Sequence, residues 1–487
     1  MYYADYIKND KTFNEAIAKN YGYGRLVLYT DETNIDESNV VKELDEALAY
    51  HEINVNAITY LDKYYRGDQP ILYRTKQVRP EINHKVVENH ALEIVDSKVA
   101  DLYGEPIQYV LADNNDDSKV AQMTLLNKFM KSEDKAALDI ERGRWASISG
   151  TSYYYVGNEN RMPKMFDEAP FFITCENPTK TFVVYYADDF TPAFAVRIRR
   201  NNKGPLYYVY TAYKIFTIQE KEIIGVAVNG NDMIPVIEYP NNERRLSDIE
   251  ITIALTDAIN NAQSDRLNAI DQFVQAFLLF KNCNIDKETF QALRDNGAIA
   301  VSDTGDGRSA DVKTLVAELS QEGSQVSKDD LYNSLLTIQG MPSRQEATGG
   351  DTGQAVALRN GYYAEEKRAE LRIPIFQRSE RMMLRVVLNK IRVMRWNKDG
   401  FSLGISDIDI RPNRSKLENM MVKAQVLQIL HGIGVADDVA LKTVNLFSDV
   451  QDTYIKSKDK MEEHFNSIVN KDTETIEVEE NNGTTAV

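Results

Sequence analysis

The stretch from Ser247 to Asn397 constrains this chain most, because its apolar spacing demands long helices interrupted only by a compact insert and a Gly-rich loop. Ser247 and Glu250 have the Ser-x-x-Glu spacing that satisfies two free backbone N–H groups at a helix start. Ile249, Ile253, Ile259, Leu267, Ile270, Val274 and Phe277 then recur at helical spacing to about Lys281. At 1.5 Å per residue that predicts a rod of about 50 Å. The insert, from Asn282 to about Gly323, reads as a strand at Ala298–Ser302, a turn at Thr304-Gly305-Asp306-Gly307, and a second strand at Asp311–Val316. Ser327 and Asp330 are expected to cap a shorter helix carrying Leu331, Leu335, Leu336 and Ile338, which stops at Gly340-Met341-Pro342. The loop Ser343–Gly353 follows. Helix resumes at Gln354 and continues past Pro374, where a kink is expected. Such rods do not enclose a catalytic pocket.

Composition narrows the partners. Lys and Arg number 57 against 74 Asp and Glu, a net charge of −17. That excludes tight, sequence-blind binding to DNA by a broad basic face, since phosphate contacts need cations. It leaves room for a surface that DNA slides past. Cys175 and Cys283 have no metal-ligand spacing, and a reduced setting is the default. The apolar run Phe273–Phe280 is too short to span a bilayer, and the first residues lack a basic-then-apolar signal, so a soluble protein is expected. The 27 tyrosines suit strands and interfaces, where the ring packs and the hydroxyl finds a partner.

Along the chain, residues 1–60 read as a polar, mostly helical arm. Tyr64–Arg74 is a turn followed by a short strand or extended segment. Asn89–Tyr103 is a helix ended by Gly104-Glu105-Pro106, and Lys119–Ser149 is a further helical stretch ending at Gly150. From Thr151 the period changes to two. Tyr153–Val156, Phe171–Ile173, Phe182–Tyr186, Phe194–Ile198 and Tyr207–Ile218 read as strands of an antiparallel meander that Ile234–Asn242 closes. Leu403–Ile410 is a strand candidate. Leu417–His431, Asp437–Phe447 and Asp449–Asn470 are helical, and the acidic, Thr-rich 471–487 stretch is expected to be disordered.

The motifs of common chemistries are missing. There is no Gly-x-x-x-x-Gly-Lys-Ser/Thr loop, no His-Glu-x-x-His and no Gly-x-Ser-x-Gly. His51, His84, His90, His431 and His464 are scattered, and packing or surface roles suit them better than metal binding. Asp407-x-Asp409 fails as a calcium loop because Arg411 and Pro412 occupy the fifth and sixth places. No enzyme activity, cofactor or metal is expected.

Four stretches, in order, carry a resemblance. They are Tyr64-Tyr65-Arg66-Gly67 with Ile71-Leu72-Tyr73-Arg74; Asn89–Lys98 running to Leu102–Tyr109; Ile234–Asn242 followed by Ser247-Asp248-Ile249-Glu250; and Gly432–Ala436 with Asp449–Asp452. Together, around the rod–insert–rod–loop–rod core, the chain resembles the portal proteins of long-tailed bacteriophages of Gram-positive bacteria over roughly residues 60–470.

The resemblance implies an α+β portal fold assembled as a ring. In it, 1–60 would be a peripheral arm, 61–246 a wing of helices and antiparallel strands, and 247–281 and 324–342 stem helices. Residues 282–323 would form a clip, 343–353 a tunnel loop, 354–412 a long kinked helix and strand, 413–470 a helical crown, and 471–487 an acidic tail. It also implies a homo-oligomer of usually twelve subunits, or thirteen when overexpressed, at one capsid vertex. Double-stranded DNA would enter through it under a terminase and leave by it at infection. Further partners would be the terminase large subunit, a head-completion adaptor, and the major capsid and scaffold proteins, with no membrane. Assembly would occur in the host cytoplasm and the final location would be the virion. Arg344, Gln345, Glu346, Thr348, Gly349, Gly350, Asp351, Thr352, Gly353, Gln354 and Arg359 would face the DNA, with Lys367 and Arg368 as flanking cations. Arg294, Asp295, Asp306, Arg308 and Asp311 would form the clip's docking surface, and Pro374 a static kink in preference to a hinge. The competing readings are a scaffold, baseplate or adaptor part without a DNA channel, and an enzyme using dispersed carboxylates.

Overall fold

Alternating apolar residues between positions 151 and 240 make two sheets rather than one meander. A computed structural model of the chain describes residues 24–77, 80–112, 117–158, 168–274, 277–281, 291, 311–315, 321–342, 362–393, 400–412, 420–444, 453, 457 and 460. The larger sheet has the order β1 (Leu28–Thr30), β5 (Thr181–Tyr186), β6 (Pro192–Asn201), β7 (Gly204–Tyr210), β8 (Lys214–Gln219) and β9 (Glu222–Val228). β5 to β9 run antiparallel, and β1 joins β5 in parallel. The smaller sheet is β10 (Val236–Pro240), β3 (Thr151–Asn158) and β4 (Phe171–Glu176), antiparallel throughout.

Several sequence expectations are corrected here. Leu28–Thr30 is a sheet strand and not part of a helical arm. The Tyr207–Ile218 strand is a hairpin, β7 and β8, and β9 adds a strand that the pattern missed. The segment after Ile234 pairs with β3 and does not close the meander. Pro70–Tyr73 is a 3-10 turn and not a strand. The stretch Lys119–Ser149 divides into α3 (Asp117–Ser132) and α4 (Lys135–Ser149), because Asp134 takes φ +49° between them. The 449–487 stretch, read as a helix and a disordered tail, lies outside the described residues apart from 453, 457 and 460.

The helices preceding these are α1 (Val40–Tyr65) and α2 (His90–Tyr103); after the sheets come α5 (Ile253–Val274), α6 (Gln321–Gln339), α7 (Tyr362–Val393), α8 (Met420–Gly432) and α9 (Asp437–Val444). Two units divide the chain. One, here the sheet unit, is Leu26–Asn54, Asp96–Arg245 and Arg372–Val487; the other, the helix-pair unit, is Met1–Arg25, Val55–Val95 and Leu246–Leu371.

The sheet unit is layered. β3 is buried on both faces because the large sheet covers one and the helical core covers the other. Tyr153 joins Val183, Ala195, Tyr210 and Val236 where the two sheets face each other. Tyr154, one residue on and pointing the other way, joins Phe129 of α3, Phe171 of β4, Tyr239 of β10 and Leu384 of α7. On the far side of the large sheet, Phe182 stacks on His51 of α1 at 4.2 Å. A short sheet of β13 (Ile408–Arg411) on β2 (Gln108–Leu111) closes the main core, and a 3-10 turn at Ile405–Asp407 precedes it.

Inside that core lies a balanced group of buried charges. Lys135 Nζ is 2.6 Å from Asp139 and 3.0 Å from Glu380. The Tyr239 hydroxyl donates to Glu380 at 2.7 Å, Tyr109 donates to its other oxygen, and Tyr154 donates to Asp139 at 2.9 Å. The Arg142 guanidinium lies 4.5 Å from the Tyr239 ring centre, 4.6 Å from Tyr103 and 5.0 Å from Phe376, so aromatic faces replace the water it has lost. Burial opposes ionisation of Glu380, yet Lys135 and the two tyrosines hold its carboxyl below the usual range.

Removing one member strands the rest. Glu380→Leu is expected to lower the stability of the sheet unit by roughly 3–5 kcal/mol, because Lys135 and two hydroxyls lose their partner in a dry core. Urea unfolding followed by tyrosine fluorescence measures it. A second prediction concerns pH. Burial pushes His51 down to about 4, so the folded protein holds it neutral. The unfolded chain takes up the proton first, and stability must fall as pH drops from about 6.5 towards 4, by roughly 3 kcal/mol at the lower end. His51→Gln should flatten that part of the stability–pH curve.

Candidate functional site

α5 and α6 form an antiparallel pair, which the contacts at their two ends establish. Gln339, the last residue of α6, donates from Nε2 to the Asp248 carbonyl and to Thr252 Oγ1, both at 2.7 Å. At the other end Arg266 reaches Gln325 at 2.6 Å. Ile259, Leu335, Leu336 and Met341, with Ile94 of α2, fill the space between. The entry to α5 follows the expected capping: the Ser247 N–H donates to Glu250 at 2.9 Å and the Ile249 N–H to Ser247 Oγ at 3.0 Å. Glu250–Thr252 is a 3-10 turn before the helix proper. Glu250 also takes a buried ion pair from Arg25 at 2.9 Å, which fixes the first described residues to the start of the pair.

A chain segment runs along α5 by a device that the sequence reading missed. The N–H groups of His84, Val86 and Glu88 donate to Asn268, Ser264 and Asn260, at 2.7, 2.9 and 2.8 Å. Alternate residues of an extended segment advance about 6.6 Å, and four helical residues advance about 6 Å, so the two spacings match. Asn260, Ser264 and Asn268 stand in one row of the helix, and all three are buried. Asn260 also donates to Gln69 at 2.5 Å, and Lys328 of α6 reaches Glu88 at 2.6 Å. The sequence shows polar residues at four-residue spacing, Thr256, Asn260, Ser264 and Asn268, but neither their burial nor the segment that they hold.

α6 ends as Gly340 predicted. Gly340 has φ +66°; its N–H donates to Thr337 and the Met341 N–H to Leu336, at 3.1 and 2.9 Å. This pair of bonds defines a left-handed helix cap. Arg368 of α7 completes it by donating from Nη1 to the Ile338 carbonyl at 2.6 Å, and a Cβ at Gly340 would collide with that guanidinium. Arg368, read from sequence as a loop-flanking phosphate contact, therefore has a structural task at the end of α6. Lys367 pairs with Glu370 at 2.8 Å.

Three sequence expectations change in this unit. α5 ends at Val274 instead of continuing to Lys281, and Phe277–Lys281 is strand β11, paired antiparallel with β12 (Asp311–Leu315). The partner of Asp311–Leu315 is thus the end of the supposed rod; the strand expected at Ala298–Ser302 lies outside the described residues. α6 begins at Gln321, ahead of Ser327 and Asp330. Asp311 stands opposite Lys281 in the backbone register of β11 and β12. Arg294, Asp295, Asp306, Arg308, Arg344, Gln345, Glu346, Thr348, Gly349, Gly350, Asp351, Thr352, Gly353, Gln354 and Arg359 lie outside the described residues. Pro374 sits inside α7, which runs on to Val393; the proline removes the N–H that would reach the Glu370 carbonyl. Among the described residues no cluster of His, Cys, Asp and Glu is placed to hold a metal ion, and no helix is long and apolar enough to cross a membrane.

A sheet unit with a mixed core and a unit built on an antiparallel helix pair with a strand insert define an α+β chain. Residues 44–471 match the family described as phage portal protein, SPP1 Gp6-like, and the chain belongs to that family. The portal protein of Bacillus phage SPP1 is 27% identical over 297 residues, 54% of this chain and 54% of that protein; the match spans about half the length of the relative. A chain in the virion of a native gene transfer agent particle has a TM-score of 0.44 and 13% identity, with 80% of this chain and 93% of that chain covered. A chain in the neck of the native particle, computed with C12 symmetry, has a TM-score of 0.42 and 13% identity, with 73% and 89% covered.

The row on α5 carries a direct expectation. Ser264→Ala leaves the Val86 N–H without its acceptor, a loss of about 1–2 kcal/mol. Hydrogen exchange should speed up at Val86 by roughly 5- to 30-fold, with little change in the β5–β8 amides of the sheet unit.

Proposed function

We propose that the chain is the portal subunit of a bacteriophage: twelve copies close into a ring at one capsid vertex, and double-stranded DNA passes through its centre during packaging and ejection. The observation that carries this is the family match over residues 44–471, which includes both helices of the α5–α6 pair. α5 and α6 serve as the stem around the channel, and the β11–β12 insert serves as the clip on which the terminase large subunit docks and, later, the head-completion adaptor. Arg294, Asp295, Asp306, Arg308 and Asp311 form that docking surface. Residues 343–353 connect the end of α6 towards α7 and serve as the tunnel loop, with Arg344 and Arg359 as its cations. The protein performs no chemistry of its own and resides in the virion, with the capsid and scaffold proteins as its partners during assembly.

The charge supports the conduit. Each copy carries −17, and twelve together about −200, so the walls hold the DNA weakly. Lys367 is paired with Glu370 and Arg368 is committed to the end of α6, which leaves few strong phosphate contacts beside the loop.

Two measurements test this. Negative-stain images of the purified protein should show rings with a hole of roughly 20 Å or more, wide enough for a duplex; a stable monomer that stays one with capsid and scaffold proteins added would overturn the reading. Deleting Gln345–Thr352 should leave the rings intact and reduce packaged DNA severalfold. Normal packaging and infection without the loop would refute its role.

A further inference from the structure

The sheet unit contains a cavity of about 390 Å³ that none of these roles uses. Its floor is an ion pair: Arg245, at φ +55°, donates from Nε and Nη2 to Glu238 at 2.6 and 2.8 Å. Tyr185 and Thr151 complete the coordination of Glu238 at 2.5 and 2.8 Å, so this pair is already satisfied. One wall is aromatic. Phe190 stands edge-on to Tyr29 at 5.8 Å, has φ +59° and is 65% exposed. A bulky residue in that conformation costs of order 1–3 kcal/mol and persists only where the surroundings impose it. Here it holds an apolar ring in open water beside Met382.

The rim is cationic. Arg378 and Arg385 line the cavity from α7, both exposed, and Arg381 lies between them on the same side of the helix. Among the described residues none of the three has a hydrogen bond or ion pair. The nearest carboxylates in sequence to Phe190 are engaged locally: Asp189 accepts from the Thr191 N–H and hydroxyl at 2.8 and 2.7 Å, and Asp188 accepts from the Asp189 N–H at 2.8 Å.

Free guanidiniums around a recess with an exposed aromatic wall fit a carboxylate carried beside an apolar side chain. In a ring the adjacent surface is that of an identical copy, on which acids outnumber bases by 74 to 57. We propose that this pocket receives a carboxylate-bearing segment of the neighbouring copy and is one of the contacts that close the ring. The carboxylate pairs with Arg378 or Arg385, and its apolar neighbour covers Phe190 and Met382. A duplex is a poorer occupant, because a body about 20 Å wide cannot enter a cavity of this size. The inference rests on the ring reading above.

The test compares wild type with R378E/R385E by mass photometry over a dilution series, at low and high salt. The wild-type ring should persist at least tenfold further into dilution than the variant, and more salt should narrow the gap. Both side chains are exposed, so near-UV circular dichroism should not change; if it does, R378Q/R385Q, which adds no carboxylate, decides in its place. Wild type that never forms a ring would refute the ring reading itself. Wild-type and variant rings of equal persistence would refute the pocket alone. Variant rings that assemble normally but retain less DNA would show a nucleic-acid contact and overturn the inference.

Discussion

The sheet unit depends on Glu380 being satisfied in a place without water. Its side chain is fully buried, and the groups that reach it come from α4, β2 and β10, whose residues lie 140 to 270 positions earlier in the chain. Lys135 and Arg142 balance Asp139 and Glu380, so no net charge is buried. The energetic gain from such a cluster is small once desolvation is counted, but its geometry is exacting. A β10 slipped by one residue would turn Tyr239 away from Glu380 and place Glu238 in the apolar core in its stead. The cluster therefore fixes register, and the apolar layers supply most of the stability.

The helix-pair unit solves the analogous problem with neutral groups. An extended segment against a helix has N–H groups that no ladder satisfies, and an unpaired buried N–H is costly. Asn260, Ser264 and Asn268 supply the missing acceptors at the spacing the segment needs. At the end of α6, Gly340 and Arg368 close the last carbonyls. Both devices consume polar side chains that a composition-level reading would leave free for ligands. Arg368 shows the consequence: a cation beside a loop is a phosphate contact only when no carbonyl has claimed it first.

What the sequence made legible follows the strength of local signals. Helix ends at a glycine were read closely, as with α2 before Gly104, α4 at Gly150 and α6 at Gly340. Breaks made without Gly or Pro were not. Asp134 separates α3 from α4 in a left-handed conformation, and Thr211-Ala212-Tyr213 turns β7 into β8 with no usual turn residue. Glu220 and Lys221, at φ +51° and +65°, make the tight turn into β9 that Asn-Gly would have announced. Phe277-Leu278-Leu279-Phe280 fits a helix end and a buried strand equally, and only pairing with Asp311–Leu315 decides between them. The row on α5 and the pocket around Arg245 are tertiary products that draw on segments far apart in the chain, so no window of sequence contains them.

Acidity and assembly then have to be reconciled. Copies that each carry −17 repel one another, yet in physiological salt that repulsion is damped beyond about 8 Å. Between adjacent subunits only surfaces in near contact matter, and there the sign of each local patch outweighs the total. A ring of acidic chains can close if each copy offers a few unpaired cations at the contact and keeps its other bases occupied. Lys135, Arg142, Arg197, Arg245 and Arg368 are occupied within the fold. Among the described residues Arg378, Arg381 and Arg385 have no hydrogen bond or ion pair, and they stand together on one side of α7. On the ring reading proposed above, the same distribution would answer both demands on a conduit: net acidity would keep DNA from adhering to the walls, and the exposed guanidiniums of α7 would join the subunits.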